Sequence, residues 1–461
     1  MVVLQNIIAS DESYINACLL EDASVICVNK KTNINKSMAF KLLYEHNKKF
    51  WFHNKTWEYY ITGDEFKILN ERISKMKEKL IKLPIITNLA ISKSEKEVIH
   101  ENYGKQYESI ITMSDAERVQ RIQEDKLRLD ALIAQYPRKK QIIAEALIET
   151  AQNAVLYNHA ALVNAINLSS DDARKQTNEL VDSTYSLIKS SSQLISENIL
   201  NDELINTLVS KSNGTIIQHI TRVYLKGLSF LAYYNRLVSA SSIVNKLRAY
   251  FKDRYLFFYH SILPHLDIDV ITLERVFLGG MRAIPENTFY DWAVGFLIHD
   301  IGKGAAVDYH EGGAAYNRDT VIEHVKVGYN SIITKTNYPR DAGLIAGYHH
   351  EYYGDKSGYG LFRSTFEQYK KNHPNAQFNY CITYDIKHIL NCDALGFFPV
   401  KVLEIIDVYD ALTDPNRKYH KALNAKEALA TMKEEFIDAH CKIDIILFDL
   451  FSDYIQETMS S

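Results

Sequence analysis

Between residues 106 and 200 the chain carries one proline, Pro137, within a long alternation of polar and apolar residues at helical spacing. Proline removes a backbone donor and clashes with the preceding turn, so a stretch this long with one proline is free to form extended helices. Ser114 with Glu117 three residues on predicts a capping box at the start of the pattern. Ala144, Leu147, Ala151 and Val155 predict an apolar stripe along its middle. No strict heptad holds for four repeats, so residues 106–200 are expected to be paired helices or a helical linker, with a homodimer formed through this helical region or the N-terminal one as an alternative.

The flanking segments differ. Residues 1–105 read as a small α/β domain. Ala23 to Val28 is a short apolar run that predicts a strand, Phe50 to Tyr60 places two aromatic runs about a turn and predicts a hairpin, and Asp64 to Lys82 predicts a helix. Nothing in this segment identifies what it binds or senses. Residues 201–461 return to helical patterns. The expected fold is mainly α: an α/β domain, a helical linker or dimerising region, and an all-helical C-terminal domain.

Several functions are excluded early. The net charge of −4 gives no overall basic field for a long nucleic acid. No apolar run approaches the length of a membrane span, and the N-terminus has no signal-peptide pattern. The five cysteines, Cys18, Cys27, Cys381, Cys392 and Cys441, are scattered and form no CxxC pair, which suits reduced thiols in a cytoplasmic protein.

Chemistry concentrates in the C-terminal half. The apolar segment Trp292 to Ile298 runs into His299-Asp300, after which Gly302 and Gly304 stop a helix. A histidine and an aspartate side by side at a buried helix end can offer one nitrogen ligand and one carboxylate able to bridge two metals, and Lys303 lies three residues on, within reach of the same face. His324 follows in HVKVGY, His349 and His350 in HHEYYGDKSGYG, and Asp407 in DVYDALTD, before NRKYHKALNAKEAL.

In order and spacing these segments resemble the HD-GYP family, the cyclic di-GMP phosphodiesterases of the HD superfamily. The resemblance spans about residues 210 to 435 of the sequence and rests on four ordered motifs. It implies a bacterial second-messenger phosphodiesterase with two divalent transition metal ions, iron or manganese foremost. It further implies that His219, His299 and Asp407 hold one metal, that His324, His349 and His350 hold the other, and that Asp300 bridges. A metal-bridging hydroxide would attack phosphorus, with Lys303 adding charge on the phosphate. Arg417, matching the first arginine of the family's RPYR segment, would contact substrate. His219 is assigned as the early histidine because Arg222 and Val223 follow it at family spacing, with His260 and His265 as rivals. The gap from His219 to His299 is long for the family and implies an inserted helical segment.

The sequence also departs from the family. The GYP triplet is Gly358-Tyr359-Gly360, the second arginine of RPYR is His420, and Thr215 stands four residues before His219, where some members place a glutamate for a third metal. Glu351 reads equally as a group orienting a histidine or as a solvated loop residue. Alternatives to cyclic di-GMP hydrolysis are an HD hydrolase of another guanine nucleotide and a non-catalytic cyclic di-GMP receptor.

Overall fold

The computed structural model describes residues 14–19, 24–27, 32–35, 51–53, 58–62, 101–135, 139–166, 168–196, 202–209, 215–240, 242–305, 318–353, 358–362, 369–371, 377–415 and 421–460. The described residues are mainly helical. Near the N-terminus lies an antiparallel sheet of β1 (Tyr14–Leu19), β2 (Ser24–Cys27), β3 (Thr32–Asn35), β4 (Trp51–His53) and β5 (Glu58–Thr62). Its order is β3-β2-β1-β5-β4. The apolar run after Ala23 is β2, and the aromatic runs pair as a hairpin with Phe52 opposite Tyr59. The helix expected over Asp64 to Lys82 falls outside the described residues.

From residue 101 the chain is a packed set of helices. The first are α1 (Tyr107–Thr112), α2 (Asp115–Gln135), α3 (Lys140–Ala165), α4 (Ser170–Ser196) and α5 (Asp202–Val209). The capping box forms as the spacing predicts: the Ser114 backbone N–H donates to Glu117 at 2.7 Å and the Glu117 N–H donates to Ser114 Oγ at 3.3 Å. Ala144, Leu147, Ala151 and Val155 are all buried. So are most of their neighbours on α3, which is apolar on nearly every side because other helices surround it.

The remaining helices are α6 (Thr215–Ser239), α7 (Ser242–Arg254), α8 (Leu256–Ile262), α9 (Leu273–Val276), α10 (Glu286–Ile298), α11 (Arg318–Lys335), α12 (Arg340–Tyr348), α13 (Ile386–Leu390), α14 (Phe398–Thr413), α15 (Ala425–Thr431) and α16 (Ile445–Ser460). α6 packs on α3, α10 and α14, while α12 packs on α10, α11 and α14. One continuous hydrophobic core runs from Tyr103 to Ile455, so the stretch expected as a linker is bound into the core of the C-terminal helices. Side-chain bonds cross the same boundary: Tyr185 donates to Asp291 at 2.6 Å, and Thr177 donates to the Lys335 carbonyl at 3.0 Å. Trp292 anchors α10, fully buried beside Phe398, with its indole N–H donating to Asp341 at 3.0 Å. Burying a side chain of this size removes about 150–250 Å² from water, worth roughly 4–6 kcal/mol before ordering costs.

The C-terminal half is not all-helical as expected. β6 (Tyr380–Thr383) and β7 (Ala394–Phe397) form a parallel pair joined through α13, and Ile382 accepts a backbone hydrogen bond from Leu278 at 2.9 Å. Strands of four residues, buried on both faces, carry no alternation to set them apart from a buried helical turn. No described helix is long and apolar enough to cross a membrane.

Candidate metal centre

Two helices that reach the middle of the core end in histidine. α10 gives way at Ile298 to His299 and α12 at Tyr348 to His349, both still in right-handed helical conformation. The last carbonyls of a helix lack partners within it, and these rings supply them. His299 Nδ1 lies 2.9 Å from the Phe296 carbonyl, and His349 Nδ1 lies 3.0 Å from the Ala346 carbonyl. A carbonyl only accepts, so Nδ1 carries a proton in both rings, and the neutral ring then offers its lone pair at Nε2.

Those Nε2 atoms meet around Asp300, which is fully buried. Asp300 Oδ2 lies 3.4 Å from Nε2 of both His219 and His299. Asp300 Oδ1 lies 3.2 Å from His324 Nε2 and 3.4 Å from His349 Nε2. Lys303, on the 3₁₀ turn Ile301–Ala305, forms an ion pair with Oδ2 at 2.5 Å. Asp407 on α14 places Oδ1 3.1 Å from His219 Nε2 and Oδ2 3.8 Å from His350 Nδ1. The buried donors form two groups, His219 with His299 and Asp300, and Asp300 with His324, His349 and His350. Asp300 belongs to both.

The separations point to shared coordination. Two ligands each about 2.1 Å from one ion and about 90–109° apart lie roughly 3.0–3.4 Å from each other. A direct charge-assisted hydrogen bond closes to about 2.7–2.9 Å. Nε2 of His219 and of His299 and both oxygens of Asp300 are buried without a well-formed hydrogen bond, the Lys303 ion pair being the one close contact of Oδ2 with a cationic side chain. Each such group costs about 1–3 kcal/mol, a cost that a cation between them offsets. These His and Asp groups could hold a metal ion.

The local fields fit that reading. Burial opposes the Asp300 charge, but Lys303 and the neighbouring imidazoles outweigh it and hold the carboxyl well below the usual carboxylate range. Burial pushes His349 down to about 4 and His350 well below its ordinary value, so both rings are neutral donors. His219 goes the other way: burial disfavours its charge, yet Asp300, Asp407 and Asp410 together raise it well above the ordinary imidazole value. Positive charge is therefore favoured where His219, Asp300 and Asp407 meet.

No family model, curated protein or solved structure matches this chain.

All seven residues expected as ligands, and Lys303, lie in this one cluster. The rivals of His219 lie elsewhere. His265 Nε2 is 2.7 Å from the Phe378 carbonyl, and His260 sits in the last turn of α8; neither belongs to a ligand group among the described residues. Arg417 and His420 fall outside the described residues. Glu351 is buried, not solvated, and its backbone carbonyl accepts from Lys401 at 2.5 Å. Thr215 opens α6, its hydroxyl 3.5 Å from the Asn102 side chain. Tyr359 of the GYG triplet packs its ring on His350, centroids 4.4 Å apart.

Gly302 explains how α11 comes close enough for His324 to join. A β-carbon at Gly302 would overlap the His324 carbonyl oxygen and stand 2.7 Å from the Gly328 nitrogen. The turn after Asp300 thus lies backbone against backbone on α11.

A second set of contacts was not singled out in the sequence. His219, Arg222 and Lys226 on α6 face Asp407 and Asp410 on α14 and Asp414 just past its end, and each trio has spacing i, i+3, i+7. Arg222 Nε donates to Asp410 Oδ1 at 2.7 Å and Arg222 Nη2 to Asp410 Oδ2 at 3.0 Å. Arg222 Nη2 also pairs with Asp414 at 2.7 Å, and Lys226 Nζ reaches Asp410 Oδ1 at 3.3 Å. The matching spacing of basic and acidic trios was the available signal.

Proposed function

We propose that this chain is a metal-dependent phosphodiesterase that hydrolyses cyclic di-GMP, mainly to the linear dinucleotide pGpG. The carrying observation is that one buried carboxylate, Asp300, belongs to two adjoining groups of metal-competent donors, as a two-ion phosphohydrolase requires. The HDIGK, HHE and DVYDALT segments, with their resemblance to HD-GYP phosphodiesterases, select the substrate. A donor set rich in imidazole suits iron, manganese or zinc better than magnesium, and we favour iron or manganese.

His219, His299 and Asp407 would hold one ion and His324, His349 and His350 the other, with Asp300 between. Such ions, when bound, supply charge for the phosphate oxygens and acidify a water molecule. The chain itself does the rest. Asp407, His350 and Lys303 are the most exposed side chains of the cluster, at 13, 10 and 7%, so a phosphodiester approaches from their side. Lys303 meets the phosphate and stabilises charge developing on it. One P–O bond of the cyclic dinucleotide breaks and water adds. The product gains a terminal phosphate, and with it more negative charge. Thr215 offers a hydroxyl where a carboxylate would recruit a further cation, so the second cut, from pGpG to GMP, is slow.

The test is turnover of cyclic di-GMP, pGpG, a guanosine polyphosphate and a deoxynucleoside triphosphate, with metal analysis of the same sample. Hydrolysis of cyclic di-GMP that is lost in a folded Asp300→Ala variant is the expected result. Turnover of another nucleotide in its place refutes the substrate. Metal-replete protein that binds cyclic di-GMP without hydrolysing it makes the chain a receptor. Rapid GMP formation from pGpG overturns the reading of Thr215.

A further inference from the structure

A metal-ligating histidine works only if the proton on its other nitrogen is held away from the metal, and something must hold it there. For His299 and His349 a backbone carbonyl does so. For His219 the partner is a side chain: Nδ1 lies 2.9 Å from Asp410 Oδ2. Resting on the reading of His219 as a ligand, we propose that Asp410 is a positioning residue, gripped by Arg222 and Lys226, that fixes His219 with Nε2 as its donor atom.

The argument is one of counting donors. Asp410 is fully buried and its two oxygens receive four donors. Oδ1 accepts from Arg222 Nε at 2.7 Å and Lys226 Nζ at 3.3 Å. Oδ2 accepts from Arg222 Nη2 at 3.0 Å, and the His219 ring at 2.9 Å completes the set. Arg222 and Lys226 have no acceptor capacity, so the carboxylate cannot present a donor to either. Its remaining acceptor site faces Nδ1, which must therefore be N–H. Nε2 is left toward Asp300 and Asp407.

Asp410→Asn changes this by one group. The amide oxygen is expected to stay with Arg222 Nε and Lys226, because an NH₂ there would face two cations, whereas at the Oδ2 position it opposes Arg222 Nη2 alone, which keeps Asp414 as an acceptor. The NH₂ then faces Nδ1, which becomes an acceptor, and the proton moves to Nε2, where Asp300 and Asp407 stand ready to accept it. The variant keeps the shape of the site and reverses the ring's donor atom.

The experiment compares wild type, His219→Ala and Asp410→Asn, titrated with Zn²⁺ alone against a chromophoric chelator, with circular dichroism as the check on folding. His219→Ala is expected to weaken zinc binding. Asp410→Asn is expected to weaken it about tenfold to a hundredfold. If His219→Ala leaves binding unchanged, the ligand reading of His219 fails and the role of Asp410 with it. If His219→Ala weakens binding and folded Asp410→Asn does not, the ligand stands and the positioning role is refuted. Zinc-loaded wild type with ¹⁵N-labelled histidine decides the matter even if Asp410→Asn does not fold. His219 should show a proton on Nδ1 and none on Nε2, and the reverse pattern overturns the proposal.

Discussion

Gly302→Ala tests how closely the turn after Asp300 must lie against α11. The added methyl group would overlap the His324 carbonyl oxygen and stand 2.7 Å from the Gly328 nitrogen. Both atoms are backbone, so no rotamer change relieves the overlap. Ordinary contact between such atoms needs about 3.5 Å, so α11 must retreat by on the order of 1 Å. Overpacking of this kind costs about 1–3 kcal/mol of stability. The larger effect falls on His324, whose Nε2 is 3.2 Å from Asp300 Oδ1 and 3.4 Å from His349 Nε2. Metal–ligand distances tolerate only about ±0.2 Å, and a displacement near 1 Å in a catalytic group costs on the order of 10² in rate. Gly302→Ala should therefore fold and, on the proposed function, bind less metal and turn over cyclic di-GMP about a hundredfold more slowly. Gly328→Ala is the control on the opposite side of the contact. Its β-carbon would meet Gly302 N at 3.5 Å and Ala346 Cβ at 3.7 Å, ordinary contacts, so metal content and turnover should hold. The assays are metal analysis, thermal unfolding and turnover on the same samples. Wild-type metal content and turnover in Gly302→Ala would refute the claim that this approach sets the position of His324.

Lys303→Ala should lower turnover by on the order of 10²–10³ while metal content stays near wild type; unchanged turnover would reduce Lys303 to a partner of Asp300. Alanine variants of His219, His260 and His265 should divide, with metal lost only for His219, because His265 is engaged by the Phe378 carbonyl; loss for either rival would move the ligand assignment. In metal-free protein, burial holds the folded-state values of His159 and His349 near 3 and 4 against an ordinary 6.5. The unfolded chain then binds protons that the folded chain refuses, so stability is full above about pH 6.5 and falls as pH drops toward these values; a midpoint that stayed flat over that window would contradict the burial of both rings.

The parts of the fold legible in the sequence are those with a local cause. Glu117 three residues after Ser114 is a cap wherever the rest of the chain lies, and the hairpin of Phe52 and Tyr59 follows from two aromatic runs about a short turn. The histidines and aspartates of the centre were singled out by a resemblance in order and spacing, and the fold brings them together in one buried cluster. Position against the rest of the chain was not legible. The stripe of Ala144, Leu147, Ala151 and Val155 announces a buried face but not which helices cover it. Glu351 could be solvated or buried on its sequence alone, and only packing against Lys401 decides. The role of Asp410 depends on Arg222, 188 residues earlier in the chain, and the matching spacing of the two trios does not by itself say that they face each other.

The continuous core has a consequence for how this protein can be divided. Ile216, Ile220 and Phe296 are each no more than 1% exposed, on helices that pack against α3 and α4. A fragment cut at residue 201 would keep every proposed ligand and lose that cover. It would present a broad apolar surface to water, the kind of surface that drives self-association. The hydrogen bonds that Asp291, Asn158 and Lys335 share across the cut would lose their partners as well. A piece that carries the centre therefore needs α1 to α4 as well, and a modular exchange of this chemistry between proteins would have to carry them along with it.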